Sequence, residues 1–255
     1  MKTPEQILET TIHTGEHKTH KTFQAKAILG FIGGAMISLG YLLYIRLTAS
    51  GMATFGPFAS FLGACVFPIG LIVILLAGGE LITGNMMAVS AAFFGKKISV
   101  KALVENWAVI TLFNLLGAIF VAFVFGHYLG LTNSGIYLEE TIEVAHAKLA
   151  ASPMKAFVSG IGCNWFVGLA LWLCYGAEDA TGKILGTWFP VMTFVALGFQ
   201  HSVANAFIIP AAIFEGQASW LEFLGNFCFV YLGNIVGGAG FVSLFYYLAY
   251  GQHKG

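Results

Sequence analysis

The sequence predicts an all-α membrane protein of six transmembrane helices, folded as a three-plus-three inverted repeat with broken helices at positions two and five. Three observations carry that expectation. Hydrophobic residues make up 58% of the 255 residues and charged ones 9%, against about 25% charged in a soluble domain. Six apolar segments each come near the roughly 20 residues that a bilayer span needs. Polar motifs recur at one offset within two of those segments.

The elements follow in order. Residues 1–22 are polar, with Ile7, Leu8 and Ile12 on one helical stripe. They predict a cytoplasmic amphipathic segment lying at the membrane surface, apart from a six-span domain over residues 23–255. A polar start of this kind is the wrong order for a secretory signal. The spans are expected near 25–47, 58–94, 103–129, 154–175, 185–214 and 221–250. The second is too long for one straight helix and holds Pro68, then Gly78-Gly79-Glu80-Leu81-Ile82-Thr83-Gly84-Asn85. The fifth holds Pro190, Gly198-Phe199-Gln200-His201-Ser202-Val203-Ala204-Asn205 and Pro210. Both are expected to break and restart, which membrane depth tolerates only where the backbone is buried in protein or lines a cavity. Gly30-x-x-x-Gly34 and Gly233-x-x-x-Gly237 predict close helix contact.

Of the twelve Lys and Arg residues, nine fall on one predicted side: Lys2, Lys18, Lys21, Lys26, Lys96, Lys97, Lys101, Lys183 and Lys254. Arg46, Lys148 and Lys155 fall on the other. Positive charge collects in the cytoplasm, so both termini are expected there. The longest connection, 130–153, is then external and carries Glu139, Glu140, Glu143 and Lys148. Zero formal charge gives no hint of a nucleic-acid partner. Cys65, Cys163, Cys174 and Cys228 lie in apolar segments without a CxxC pair, a pattern of packing rather than of disulfides or metal. No metal or cofactor is expected.

A shift of 120 residues superposes Glu80 on Gln200, Asn85 on Asn205, Asn106 on Asn226, Asn114 on Asn234 and Gly117 on Gly237. Each half holds three spans, so the second enters from the opposite side. Inverted repeats with matching broken helices mark a transport site near the midplane. Two helix restarts aim unpaired N–H groups and positive dipole ends at one place, which favours an anion. Thr83 and His201 add donors, and Asn85 and Asn205 can bond loop backbone. Phe67, Leu71, Leu81, Ile82 and Phe194 would line narrow apolar constrictions. A bare anion pays several kcal/mol or more in desolvation there, which a weak acid escapes by crossing as its neutral form. His201 is the nearby side chain whose titration suits such an exchange.

The strings Phe67-Pro68-Ile69-Gly70-Leu71, Gly79-Glu80-Leu81-Ile82-Thr83 and Phe199 to Asn205, with Asn164 in the fourth span, resemble the formate/nitrite transporter family, including its hydrosulfide branch. The resemblance covers nearly the whole chain. It implies an aquaporin-like protomer with its own pore, a homopentamer, and a bacterial plasma (inner) membrane. It makes Thr83 and His201 the central polar pair, and Lys148 and Asn164 the source of an anion-attracting field. Phe67, Leu81 and Phe194 resemble one constriction; Leu71, Ile82 and Val167 resemble the other. Two departures stand out. Gln200 replaces an acid that many relatives carry before the histidine, and Ile82 stands where formate channels tend to have an aromatic. The expected function is a passive, pH-gated channel for small monovalent anions such as formate, nitrite or hydrosulfide, not an enzyme. A water or neutral-solute channel would show Asn-Pro-Ala restarts and a filter arginine, whereas Asn85 precedes Met86-Met87 and Asn205 precedes Ala206-Phe207. An intramembrane enzyme lacks HExxH, and a structural scaffold leaves Glu80, Gln200 and His201 at depth unexplained.

Overall fold

The computed structural model describes residues 1–251, so Lys254 lies outside the described residues. Within them the ordered elements are helices. Helix α1 (Pro4–His20) begins in a capping box between Thr3 and Gln6, with Pro4 in its first turn. Helix α2 (Phe23–Phe55) runs eight residues past the predicted end of the first span, and Pro68 joins α3 (Phe58–Val66) to α4 (Ile69–Ala77). After a gap comes α5 (Ile82–Phe94). Helix α6 (Val100–Val121) runs on as a π-helical turn, Ala122–Tyr128, and the predicted external connection contains α7 (Gly135–Leu149). Helices α8 (Pro153–Gly176) and α9 (Ala180–Ala196) lead to a second gap, followed by α10 (Ser202–Phe214). Helix α11 (Trp220–Ile235), its π-helical extension Val236–Leu244 and α12 (Phe245–Tyr250) end the fold.

Local sequence sets these starts. Thr22, Ser99, Ser152, Asp179 and Ser219 each accept a first-turn N–H with a side-chain oxygen, which satisfies a donor the helix leaves unpaired. Five stretches are long and apolar enough to cross a membrane: Phe23–Phe55, Phe58–Ala77, Val100–Tyr128, Pro153–Gly176 and Trp220–Tyr250.

The helices approach to backbone contact where glycine allows it. A Cβ on Gly34 would lie 2.0 Å from the Asn114 carbonyl oxygen, and one on Gly117 would lie 2.1 Å from that of Phe31. Helices α2 and α6 therefore touch along glycine. The same holds between α8 and α11, where a Cβ on Gly233 would meet the Phe157 carbonyl at 2.1 Å. Helices α5 and α10 are enclosed on every side, from Ile82 to Ala92 and from Ser202 to Ala212.

Helix α1 differs from the expectation of a helix lying on lipid. Its stripe turns inward: Ile7 and Leu8 are buried beside Trp172, and a Cβ on Gly15 would sit 1.9 Å from the Ala88 carbonyl oxygen. The apolar face is covered by α5 and α8, and only the polar face is left for solvent. The four cysteines are free, Cys163 and Cys174 in the core, Cys65 half-buried and Cys228 exposed.

Candidate functional site

The site is made by two chain breaks. Gly78 (φ +106°) and Gly198 (φ +72°) turn the chain where residues with a Cβ are strained. The chain then passes through an extended residue into a new helix, Leu81 (φ −115°, ψ 126°) before α5 and His201 (φ −109°, ψ 122°) before α10.

Each break is clamped by one buried asparagine. Asn114 accepts the Ile82 N–H at 2.8 Å and donates to the carbonyls of Gly30 (2.7 Å) and Glu80 (2.8 Å). Asn234 accepts the Ser202 N–H at 3.0 Å and donates to Gly160 (2.9 Å) and Gln200 (3.3 Å). A second asparagine pair braces the polar side chains. Asn85 donates to the Glu80 carboxylate (2.9 Å) and to Asn106 Oδ1 (3.0 Å). Asn205 donates to Gln200 Oε1 (2.8 Å) and to Asn226 Oδ1 (2.8 Å). Asn106 in turn donates to the Lys18 carbonyl and Asn226 to the Lys148 carbonyl. The 120-residue repeat is thus also a repeat of hydrogen bonds.

The two lysines differ in one respect. Lys18 Nζ pairs with Glu80 at 2.8 Å. Gln200 offers no charge, and Lys148 Nζ donates instead to the Gly198 carbonyl at 3.1 Å. Burial without a carboxylate partner pulls the Lys148 ammonium down to about 8.

Where the restarts meet, Thr83 Oγ1 and His201 Nε2 lie 2.8 Å apart. The tautomer follows from the other ring nitrogen. His201 Nδ1 accepts the backbone N–H of Ala204 at 3.1 Å, so Nδ1 carries no proton. The ring proton is on Nε2 and is donated to Thr83, and the Thr83 hydroxyl proton is left for another acceptor. Phe194 stacks over the imidazole at 6.0 Å, and Phe67 meets Phe194 edge-on at 5.9 Å. Leu71, Leu81, Ile82 and Val167 are buried in the same core. Asn164 donates to the carbonyls of Thr83 (3.2 Å) and Asn234 (2.7 Å). A cavity of about 180 Å³ is lined by Lys148, Gly198, Phe67, Phe194, His201 and Asn205, among others.

The structure therefore brings His201, Phe67, Phe194 and Lys148 to one cavity, with Thr83 hydrogen-bonded to His201 behind it. Asn164 holds the backbone behind Thr83. Gln200 and Asn85 are spent on bracing the breaks; Gln200 also donates to the Lys148 carbonyl at 3.3 Å. Asn205 does the same bracing while bordering the cavity. Asn114 and Asn234 stood in the repeat, but sequence reasoning gave them no task. Lys18 was counted only as a charge. Among the described residues no group of three or more His, Cys, Asp or Glu is placed to hold a metal ion.

The formate/nitrite transporter family model matches residues 5–248. The formate channel BtFdhC of Bacillus thuringiensis is 50% identical over 247 residues, covering 97% of this chain and 95% of that one. Two solved structures share the fold. One, an FNT family ion channel, superposes with a TM-score of 0.87 at 27% identity, over 95% of this chain and 98% of that one. A pentameric formate channel with formate bound gives 0.79 at 30% identity, over 90% and 98%. From the first amphipathic helix to the last span, the chain belongs to the formate/nitrite transporter family.

Proposed function

We propose that the chain is a passive channel for small monovalent anions of weak acids, with formate, nitrite and hydrosulfide as candidate cargo. The observation that carries this reading is the Thr83–His201 hydrogen bond where two helix restarts converge, walled by Phe194 and Phe67 and reached from Lys148. In this reading the broken pair α9/α10 is a sixth span beside the five long apolar stretches. Odd halves make the repeat inverted. Both termini are cytoplasmic, the Lys148 end of the cavity faces outward, and the membrane is the bacterial inner membrane. An anion is drawn by Lys148, passes Phe67 and Phe194, and meets the Thr83 hydroxyl, which His201 orients. Gln200 makes the outer vestibule more positive than an acid there would, because Lys148 keeps its charge unpaired.

The family's pentameric structural neighbour supports a homopentamer with one pore per protomer. The purified protein in detergent is expected to have the mass of five chains; a dominant monomer or dimer would reject that assembly.

Anion flux into proteoliposomes tests the function. Formate, nitrite and hydrosulfide are expected to equilibrate far faster than in protein-free vesicles, and none doing so would sink the proposal. Lys148 supplies a finer check. Charge reversal, Lys148→Glu, is expected to lower flux on the order of tenfold at low ionic strength and much less at high salt, since screening removes steering. The wild-type lysine is cationic below about pH 8 and loses its charge as pH rises through that value. Lys148→Arg, charged throughout, is expected to keep the attraction above pH 8. Equal salt dependence in the wild type and Lys148→Glu would make Lys148 a bystander.

A further inference from the structure

The cavity joining Lys148 to His201 is also lined by Tyr41, a polar group with no task so far. Tyr41 stands on α2 and is 6% exposed. Its ring is fixed by Phe67 edge-on at 5.4 Å and by Phe207 at 5.9 Å. The hydroxyls of Tyr137 and Tyr231 pair with Ser50 and Thr111. That of Tyr41 has no hydrogen-bond partner among the described residues, and the side chain borders the cavity. A buried hydroxyl is costly unless something accepts its proton. Here that acceptor has to come from the cavity.

The repeat supplies a control. The backbone carbonyls of Lys18 and Lys148 accept from matching asparagines, as those of Gly30 and Gly160 do. These pairs are 130 residues apart, and the same offset carries Tyr41 onto Leu171. Leu171 fills the matching place at the other restart, where it would meet a Cβ on Gly84 at 2.8 Å. Hydrocarbon therefore satisfies the packing at that position. At this repeat position the hydroxyl stands at the end that carries the unpaired lysine and a leucine at the other.

We infer that Tyr41 is a specificity-determining residue, which donates its O–H to one oxygen of a two-oxygen anion while the other oxygen faces Lys148, ahead of the Phe67–Phe194 constriction. This rests on the anion-channel reading above. A small carboxylate or nitrite can engage both donors at once. Hydrosulfide has one heavy atom and a weakly accepting sulfur, so it gains little from the phenol.

Formate and hydrosulfide fluxes through wild type, Tyr41→Phe and Tyr41→Leu, each first shown to assemble at the wild-type size, test the inference. Two hydroxyl-free variants are used so that a packing defect in one does not block the measurement. The half-saturating formate concentration is expected to rise about fivefold with hydrosulfide flux unchanged, so that the formate-to-hydrosulfide ratio falls by a similar factor. An unchanged ratio, or an equal loss for both anions, would overturn the role of Tyr41 while leaving the channel reading intact. A wild-type protein that passes neither anion would overturn the channel reading, and this inference with it.

Discussion

Replacing His201 with phenylalanine is expected to lower anion flux by roughly 10- to 100-fold in oligomers that still assemble. A hydrogen bond to a charged group is worth about 1.5–3 kcal/mol, and about 1.4 kcal/mol is tenfold in rate. The variant removes the Nε2–H that orients Thr83 and adds bulk beside Phe194. His201→Asn is the more informative partner. Asparagine is a good N-cap, so it can take over from Nδ1 the N–H of Ala204 and keep α10 in place. It is too short to hold Thr83, so flux falls here too. The two variants also decide how the histidine works. A neutral ring that surrendered its Nε2 proton would become imidazolate, so proton donation requires the doubly protonated ring. That form places a proton on Nδ1, facing the Ala204 N–H, and the cap is lost. With the cap intact His201 is expected to act as a neutral donor and not as a proton carrier. The pH profile of flux in His201→Asn is therefore expected to keep the wild-type shape. A flattened profile in assembled oligomers would show that the ring exchanges protons with the cargo.

How much of this was legible in the sequence depends on the kind of signal. Long apolar runs reveal themselves by composition, and glycine beside a polar string inside such a run marks a break. Both broken helices were readable for that reason, whereas the pairing of Thr83 with His201 came from the family resemblance. The repeat was readable because asparagine is rare at depth and five pairs share one offset. The task of each asparagine was not. Asn114 and Asn234 lie on α6 and α11, some 30 residues from the breaks they clamp, and nothing local says which backbone a distant amide will reach. Gln200 shows the converse. A polar side chain next to the central histidine reads as part of the path, yet its oxygen accepts from Asn205 and Asn226 and its amide holds the Lys148 carbonyl. Helix α1 was legible as amphipathic, but not the surface that covers its stripe. An amphipathic stripe declares that it must be covered but not by what, and here α5 offers Ala88 close enough for Gly15 to touch.

The largest loss of stability is expected from the clamps. Asn234→Leu keeps the volume nearly constant and strands two buried groups, the Ser202 N–H and the Gln200 carbonyl, while the Gly160 carbonyl keeps its bond within α8. Each stranded group costs about 1–3 kcal/mol, so the sum is at least about 2 kcal/mol. In a chain of this size about 1 kcal/mol shifts Tm by roughly 2–4 °C, which predicts a fall of about 4 °C or more for the assembled protein. Asn114→Leu strands the Ile82 N–H and the Glu80 carbonyl in the same way, so it is expected to cost a similar amount. Ser202 follows His201 directly, so loosening its N–H also frees the imidazole from Thr83. Flux per assembled oligomer is then expected to fall in Asn234→Leu, whereas Asn114→Leu loosens the Thr83 side of the same contact. Thermal unfolding followed by size-exclusion chromatography, with flux normalised to the assembled fraction, measures both effects. A wild-type Tm in Asn234→Leu would mean that water or a rearranged loop can replace the clamp, and the rigid seating of His201 would need another source.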